Sequence, residues 1–188
     1  MKLFKSSKLF LFLLLSATLI VGCDSDDPDD EGPGEEELIT TVTLTLTPNG
    51  GGQAVTAVAN DPDGDGAGFT IGDINLTANT TYTGTIAFRD DLNGEDITEE
   101  VEAEADEHQV WYTAGGDAAG RITLTINDMD GSGLPLGLDF TLEVSTGADA
   151  SGTMNVVLSH YDEAPKDGVT QSDESDVDIT FPVNIAGN

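Results

Sequence analysis

Aspartates at alternate positions, Asp61, Asp63 and Asp65, are followed at once by Gly66. That spacing lets three carboxylate oxygens converge on one hard cation while glycine takes the sharp turn, which is calcium chemistry. A second run, Asp128, Asp130, Ser132 and then Asp139, puts oxygen donors at the first, third, fifth and twelfth places of a loop. It is a second calcium candidate. Two histidines occur in the chain. His108 shares strand parity with Val110 and Tyr112, and His160 with Val156 and Leu158. Both are therefore expected to point toward one end of a folded body, near Glu104 or Asp162. Imidazoles beside carboxylates suit zinc, copper or iron. Each feature also has a plainer reading. The loops read as Asp/Gly turns between strands. The histidines read as rim residues, one of them at a helix C-terminus where positive charge is favoured.

Asp61 to Gly66 resembles the opening of thrombospondin type 3 and EF-hand-like calcium loops. It departs from them at the twelfth place, which is Gly72 and not an acid, with Asp73 next. Asp128 to Asp139 resembles the EF-hand loop pattern, with Asp in place of the last Glu, but it lacks flanking helices. Catalytic patterns are absent: there is no G-x-S-x-G elbow, no Walker loop and no H-E-x-x-H. With 36 acids in the chain, carboxylate pairs lose their value as a sign of glycoside cleavage. Trp111, Tyr112 and Tyr161 are a candidate sugar-stacking platform, with core packing the stronger expectation. The expectation is a non-enzyme.

Those 36 acids face 6 Lys plus Arg, for a formal charge of −30. Three of the cations, Lys2, Lys5 and Lys8, precede the apolar run Leu9 to Val21; beyond it only Arg89, Arg121 and Lys166 remain. Such a body does not bind nucleic acid through phosphates or dock on anionic lipid. The single cysteine, Cys23, rules out a disulfide framework and a cysteine-based zinc site.

Leu9 to Val21 is shorter than the ~20 residues of a spanning helix and fits the apolar core of a signal peptide. It ends Ile20-Val21-Gly22-Cys23, which resembles a bacterial lipobox. The resemblance implies cleavage before Cys23 and its lipidation, and two or three acyl chains anchor a protein stably. Residues 1–22 are then a lipoprotein signal peptide. Residues 23–37 carry no apolar side chain after Cys23 and read as an acidic disordered tether. This stretch also resembles the acidic segment that sends Bacteroidota-type lipoproteins to the outer face of the outer membrane.

Residues 38–188 read as a single all-β domain, an antiparallel, immunoglobulin-like β-sandwich of eight or nine strands with one short surface helix. Period-two alternation carries this. Val42, Leu44 and Leu46 alternate with threonines. Tyr82, Ile86 and Phe88 share one parity, as do Ile122, Leu124 and Ile126. The same holds for Leu138 to Val144, Met154 to Leu158, and Val177 to Ile185. Weaker strands are Gln53 to Ala59, Ile71 to Thr77 and His108 to Thr113. Pro182 lacks an N–H, so the last strand is expected at an edge with Pro182 facing out. Asp96 to Glu107 has Ile97, Val101 and Ala105 four apart, with Asp96 and Glu99 spaced as a capping box, and predicts the helix.

Leu76-Thr-Ala-Asn-Thr-Thr-Tyr82 resembles the tyrosine corner of fibronectin III and immunoglobulin-like domains, which implies a core Leu76 and a Tyr82 bonded back to the corner backbone. Asp96 to Tyr112, Leu158 to Lys166 and Asp176 to Ile185 together resemble small acidic Bacteroidota-type cell-envelope lipoproteins of unknown role. Some of that group are assigned a type 1 periplasmic binding fold. This chain has neither the length nor the βαβ alternation of its two lobes. The expectation is a lipid-anchored outer-membrane or cell-surface binding or accessory protein. Its partners would be the membrane through the lipid, and an outer-membrane protein or a glycan. The alternative is a metal-handling lipoprotein beside an outer-membrane transporter.

Overall fold

The computed structural model describes residues 37–161 and 164–188. Cys23, the expected signal peptide, the expected acidic tether up to Glu36, and Asp162 lie outside them. The described residues form an all-β sandwich of ten strands in two sheets with one short helix. One sheet has six strands: β1 (Thr41–Pro48), β2 (Val55–Asn60), β3 (Thr70–Ile71), β5 (Thr80–Arg89), β7 (Ile122–Ile126) and β8 (Asp139–Val144). Their order is β3-β2-β1-β5-β8-β7. The other sheet holds β4 (Ile74–Thr77), β6 (His108–Gly116), β9 (Ala150–His160) and β10 (Glu174–Ala186), in the order β4-β10-β9-β6. No helix among the described residues is long and apolar enough to cross a membrane.

Alternation builds the core. Val42, Leu44 and Leu46 of β1, Ile86 and Phe88 of β5, and Phe140 and Leu142 of β8 turn inward from one sheet. Met154, Val156, Leu158, Ile179, Phe181 and Val183 meet them from the other. Each fully buried side chain of this size contributes roughly 1.5–3 kcal/mol. The Leu76 to Tyr82 corner has the expected form. Both side chains are buried, and the Thr77 N–H donates to the Tyr82 hydroxyl at 2.9 Å. Asn79 takes φ +57° at the turn.

Three local expectations are corrected. The weak strand expected at Ile71 to Thr77 is broken into β3 and β4, which join different sheets. β4 then pairs with β10 in parallel, so the sandwich is not wholly antiparallel. Strands far apart in sequence are free of the hairpin that would dictate direction. β10 is also no simple edge strand, because it lies between β9 and β4. Pro182 faces solvent, and β4 pairs with β10 only from Val183 to Ala186, so the proline precedes that ladder.

The helix α1 (Ile97–Ala103) is shorter than expected. Ile97 and Val101 are buried, but the Asp96 side chain makes no capping bond. It sits 3.5 Å from the Arg89 guanidinium instead. Thr98 ties the helix to β5, accepting from the Phe88 N–H and donating to the Phe88 carbonyl. α1 thereby closes the end of the sandwich where β6 begins.

Candidate metal centre

At that end β6 starts, β9 stops and β10 starts. The β6–β9 register sets His108 directly opposite His160. Both share inward parity with core residues, as expected, and their rings stack with centroids 4.5 Å apart. Two carboxylates complete the group. Glu37 arrives from the chain just before β1, and Asp176 from β10.

Asp176 belongs by strand parity with Asp178, Thr180 and Pro182, all of which face solvent. It turns inward because the β9–β10 register shifts between Ser175 and Val177. Asp176 is the extra residue of a β-bulge, and a bulge re-aims a side chain. Its side chain is fully buried.

The His108 Nδ1–H donates to the Glu104 carbonyl at 3.2 Å, at the C-terminal end of α1. That bond fixes the tautomer and leaves Nε2 facing the carboxylates, the usual way a ligating histidine is oriented. Nε2 lies 3.1 Å from Glu37 Oε1 and 3.6 Å from Asp176 Oδ2. His160 Nδ1 lies 3.4 Å from Asp176 Oδ1 and 3.7 Å from Glu37 Oε2. One ligand atom from each of the four residues lies within 4.8 Å of all the others. Ligands at ~2.0–2.1 Å from a tetrahedral zinc ion stand about 3.3 Å from one another, close to these nitrogen–oxygen separations. Three buried atoms of the group, Glu37 Oε2, Asp176 Oδ2 and His160 Nε2, have no hydrogen-bond partner, while His108 Nε2 faces the Glu37 carboxylate.

Electrostatics show the same demand for positive charge. Burial raises the Glu37 carboxyl, but bonding to His108 and Asp176 outweighs it and holds the group down to about 2. Burial, then the neighbouring Glu37, pushes Asp176 up to about 8. Burial lowers His108, and the two carboxylates more than reverse this and raise it. Like charges this close do not both ionise freely, so the two carboxylates titrate as a pair, and burial favours one proton held between them. A metal bound at such a group would displace these protons, because its ligands must be deprotonated.

Glu37 and Asp176 line a cleft of about 430 Å³ that is also lined by Gly64, Asp65 and Gly66. These last belong to the loop between β2 and β3. One carboxylate oxygen from each of Asp61, Asp63 and Asp65 lies within 4.8 Å of the other two. Asp61 is buried, Asp63 and Asp65 exposed. Asp61 Oδ2 accepts from the Gly66 N–H at 2.9 Å, and Asp65 Oδ1 from the Ala67 N–H at 2.9 Å. Its bonding to Asp61 and the charge of Asp65 push the Asp63 carboxyl up.

The second calcium candidate is corrected. Asp128, Asp130, Ser132 and Asp139 do not converge on one point. Asp128 accepts backbone N–H groups from Gly137, Leu138 and Asp139. Asp130 accepts those of Ser132 and Leu134, and its other oxygen pairs with the buried Lys166 ammonium at 3.1 Å. Asp139 accepts from the Asn127 side-chain amide. The run is a turn closed by its own backbone. Of the three aromatic residues, Tyr112 is held by the core, as expected for packing, and Trp111 and Tyr161 bond to each other. The Tyr112 hydroxyl donates to the Gly137 carbonyl and its ring packs on Phe140, while the Trp111 indole N–H donates to the Tyr161 hydroxyl.

Sequence reasoning brought His108 and His160 together but placed them near Glu104 or Asp162. Glu104 contributes only its carbonyl. Glu37 fell within the expected tether, and its position next to the first strand was the only signal. Asp176 had none, because a bulge breaks the parity rule that would find it. Among known proteins, no family model, curated protein or solved structure matches the chain.

Proposed function

We propose that this is a lipid-anchored, non-enzymatic binding or accessory protein of the bacterial cell envelope, whose sandwich holds one divalent transition metal at Glu37, His108, His160 and Asp176. The observation that carries the metal is the convergence of two imidazoles and two carboxylates, three of the four residues keeping a buried polar atom with no hydrogen-bond partner. Zinc suits this donor set, since it takes histidine nitrogen and carboxylate oxygen in a four-coordinate shell. Four protein ligands leave no open position for substrate, which supports a structural over a catalytic metal. The anchor rests on the lipobox-like Ile20 to Cys23 and on the acidic stretch behind it.

Elemental analysis of the purified full chain tests the metal. About one zinc per chain is expected, falling well below that in His160→Ala; equal, substoichiometric metal in both proteins sinks the reading. Membrane fractionation tests the anchor, because Cys23→Ser should lose lipid labelling and leave the outer-membrane fraction. A second reading, metal handling beside an outer-membrane transporter, is favoured by the cleft that reaches Glu37 and Asp176. It requires the metal to exchange with a chelator within minutes in the folded protein, whereas a structural metal is retained.

A further inference from the structure

Asp61 is 1% exposed, and its Oδ1 is buried with no hydrogen-bond partner. Its N–H donates to the Thr40 carbonyl at 2.8 Å, so the residue is pinned to the strand beside it. The Gly66 N–H occupies only Oδ2. A buried carboxylate oxygen among acids, with no donor against it, lacks the positive partner that burial demands. Asp63 and Asp65 bring two more carboxylates to the same place. Exposure of those two leaves the place open to solvent ions. The nearest described cations do not serve it: Arg89 is engaged by Asp91 and Asp96, Lys166 by Asp130, and Arg121 bonds the carbonyls of Ser145 and Ala148.

We infer that Asp61, Asp63 and Asp65 form a calcium site, separate from the buried histidine centre and unlike it in donor chemistry. The donors are all oxygen, which selects a hard cation over zinc or copper. Three carboxylates from one short loop, with backbone carbonyls and water filling the shell, suit calcium's loose six- to eight-fold coordination better than the strict octahedron of magnesium. No acid stands at the twelfth place, so the affinity is that of extracellular modules, ~10⁻⁴ to 10⁻³ M.

Calorimetric titration of the full chain in detergent, at physiological salt to screen diffuse charge, tests this. Calcium should bind one site in the sub-millimolar to millimolar range. Asp63→Asn with Asp65→Asn should weaken binding at least ten-fold, and these exposed residues do not threaten the fold. Asp117→Asn with Glu143→Gln removes the same charge from exposed positions elsewhere and should leave the calcium isotherm unchanged. Equal loss in the two double variants, no saturable heat up to ten times the expected constant, or magnesium binding tighter than calcium overturns the inference. Because zinc content is read separately, failure here is distinct from failure of the buried centre.

Discussion

Replacing Asp176 by asparagine separates the metal role of the buried group from its packing role. Asp176 is fully buried, and burial with the neighbouring Glu37 pushes its carboxyl up to about 8, which favours the neutral acid. An amide of the same shape therefore stands in for the neutral acid, and the metal-free fold should lose no more than about 1 kcal/mol, the scale of one hydrogen bond. The metal-bound state needs the charged carboxylate and loses it. Free zinc at about 100 times its dissociation constant stabilises the wild type by ~2.7 kcal/mol. For a domain of about 150 residues, each kcal/mol moves the melting temperature by roughly 2–4 °C, so the expected rise is ~5–11 °C. Asp176→Asn should show less than a third of that rise at the same zinc concentration. His108→Ala differs, because it strips the partner from the buried Glu37 carboxylate, 3.1 Å away, and should melt lower even without metal. The assay is thermal unfolding of each protein with chelator and with buffered zinc. Equal zinc-induced shifts in wild type and Asp176→Asn would refute the reasoning, since the four residues would then not share a metal.

Four further outcomes are expected. Lys166→Met leaves Asp130 buried without its ammonium and should cost about 3 kcal/mol by urea unfolding, the low end for a broken buried pair because two N–H donors remain. Burial raises the Asp130 carboxyl, but the Leu134 N–H, Lys166 and the Ser132 N–H together hold it below its ordinary 3.8. A group lowered on folding stabilises fully above its unfolded value, so this contribution should fade as pH drops below about 3.8, and Asp130→Leu with Lys166→Met should flatten that part of the acid-unfolding curve. A β-carbon on Gly84 would overlap the Phe140 ring, so Gly84→Ala should lower stability by about 1–3 kcal/mol in the same urea assay, and an unchanged midpoint would mean that the ring moves freely. Tyr82→Phe removes the acceptor of the Thr77 N–H and should cost about 1–2 kcal/mol, checked by its melting temperature.

Strand parity is a local property of the chain, and it alone made the sandwich legible: the stripes Val42-Leu44-Leu46 and Val177-Ile179-Phe181 are buried where the alternation put them, and Ile122-Leu124-Ile126 of the edge strand β7 is half-buried against the core. It also pointed His108 and His160 inward, since each continues an apolar stripe by one more step. The lipobox-like run and the charge imbalance are likewise properties of sequence alone. Pairing is not local. That His108 meets His160 follows from the β6–β9 register, and that β10 runs parallel to β4 follows from which sheet β4 joins. Asp176 enters the group only because one residue bulges where β10 meets β9, which reverses its parity with no mark in the sequence. The two Asp/Gly loops look alike as strings. In one, backbone N–H groups and Lys166 satisfy the carboxylates; in the other, Asp61 keeps a buried oxygen without a donor. Carboxylates take whichever donors the fold brings within reach, and only the tertiary structure decides which those are.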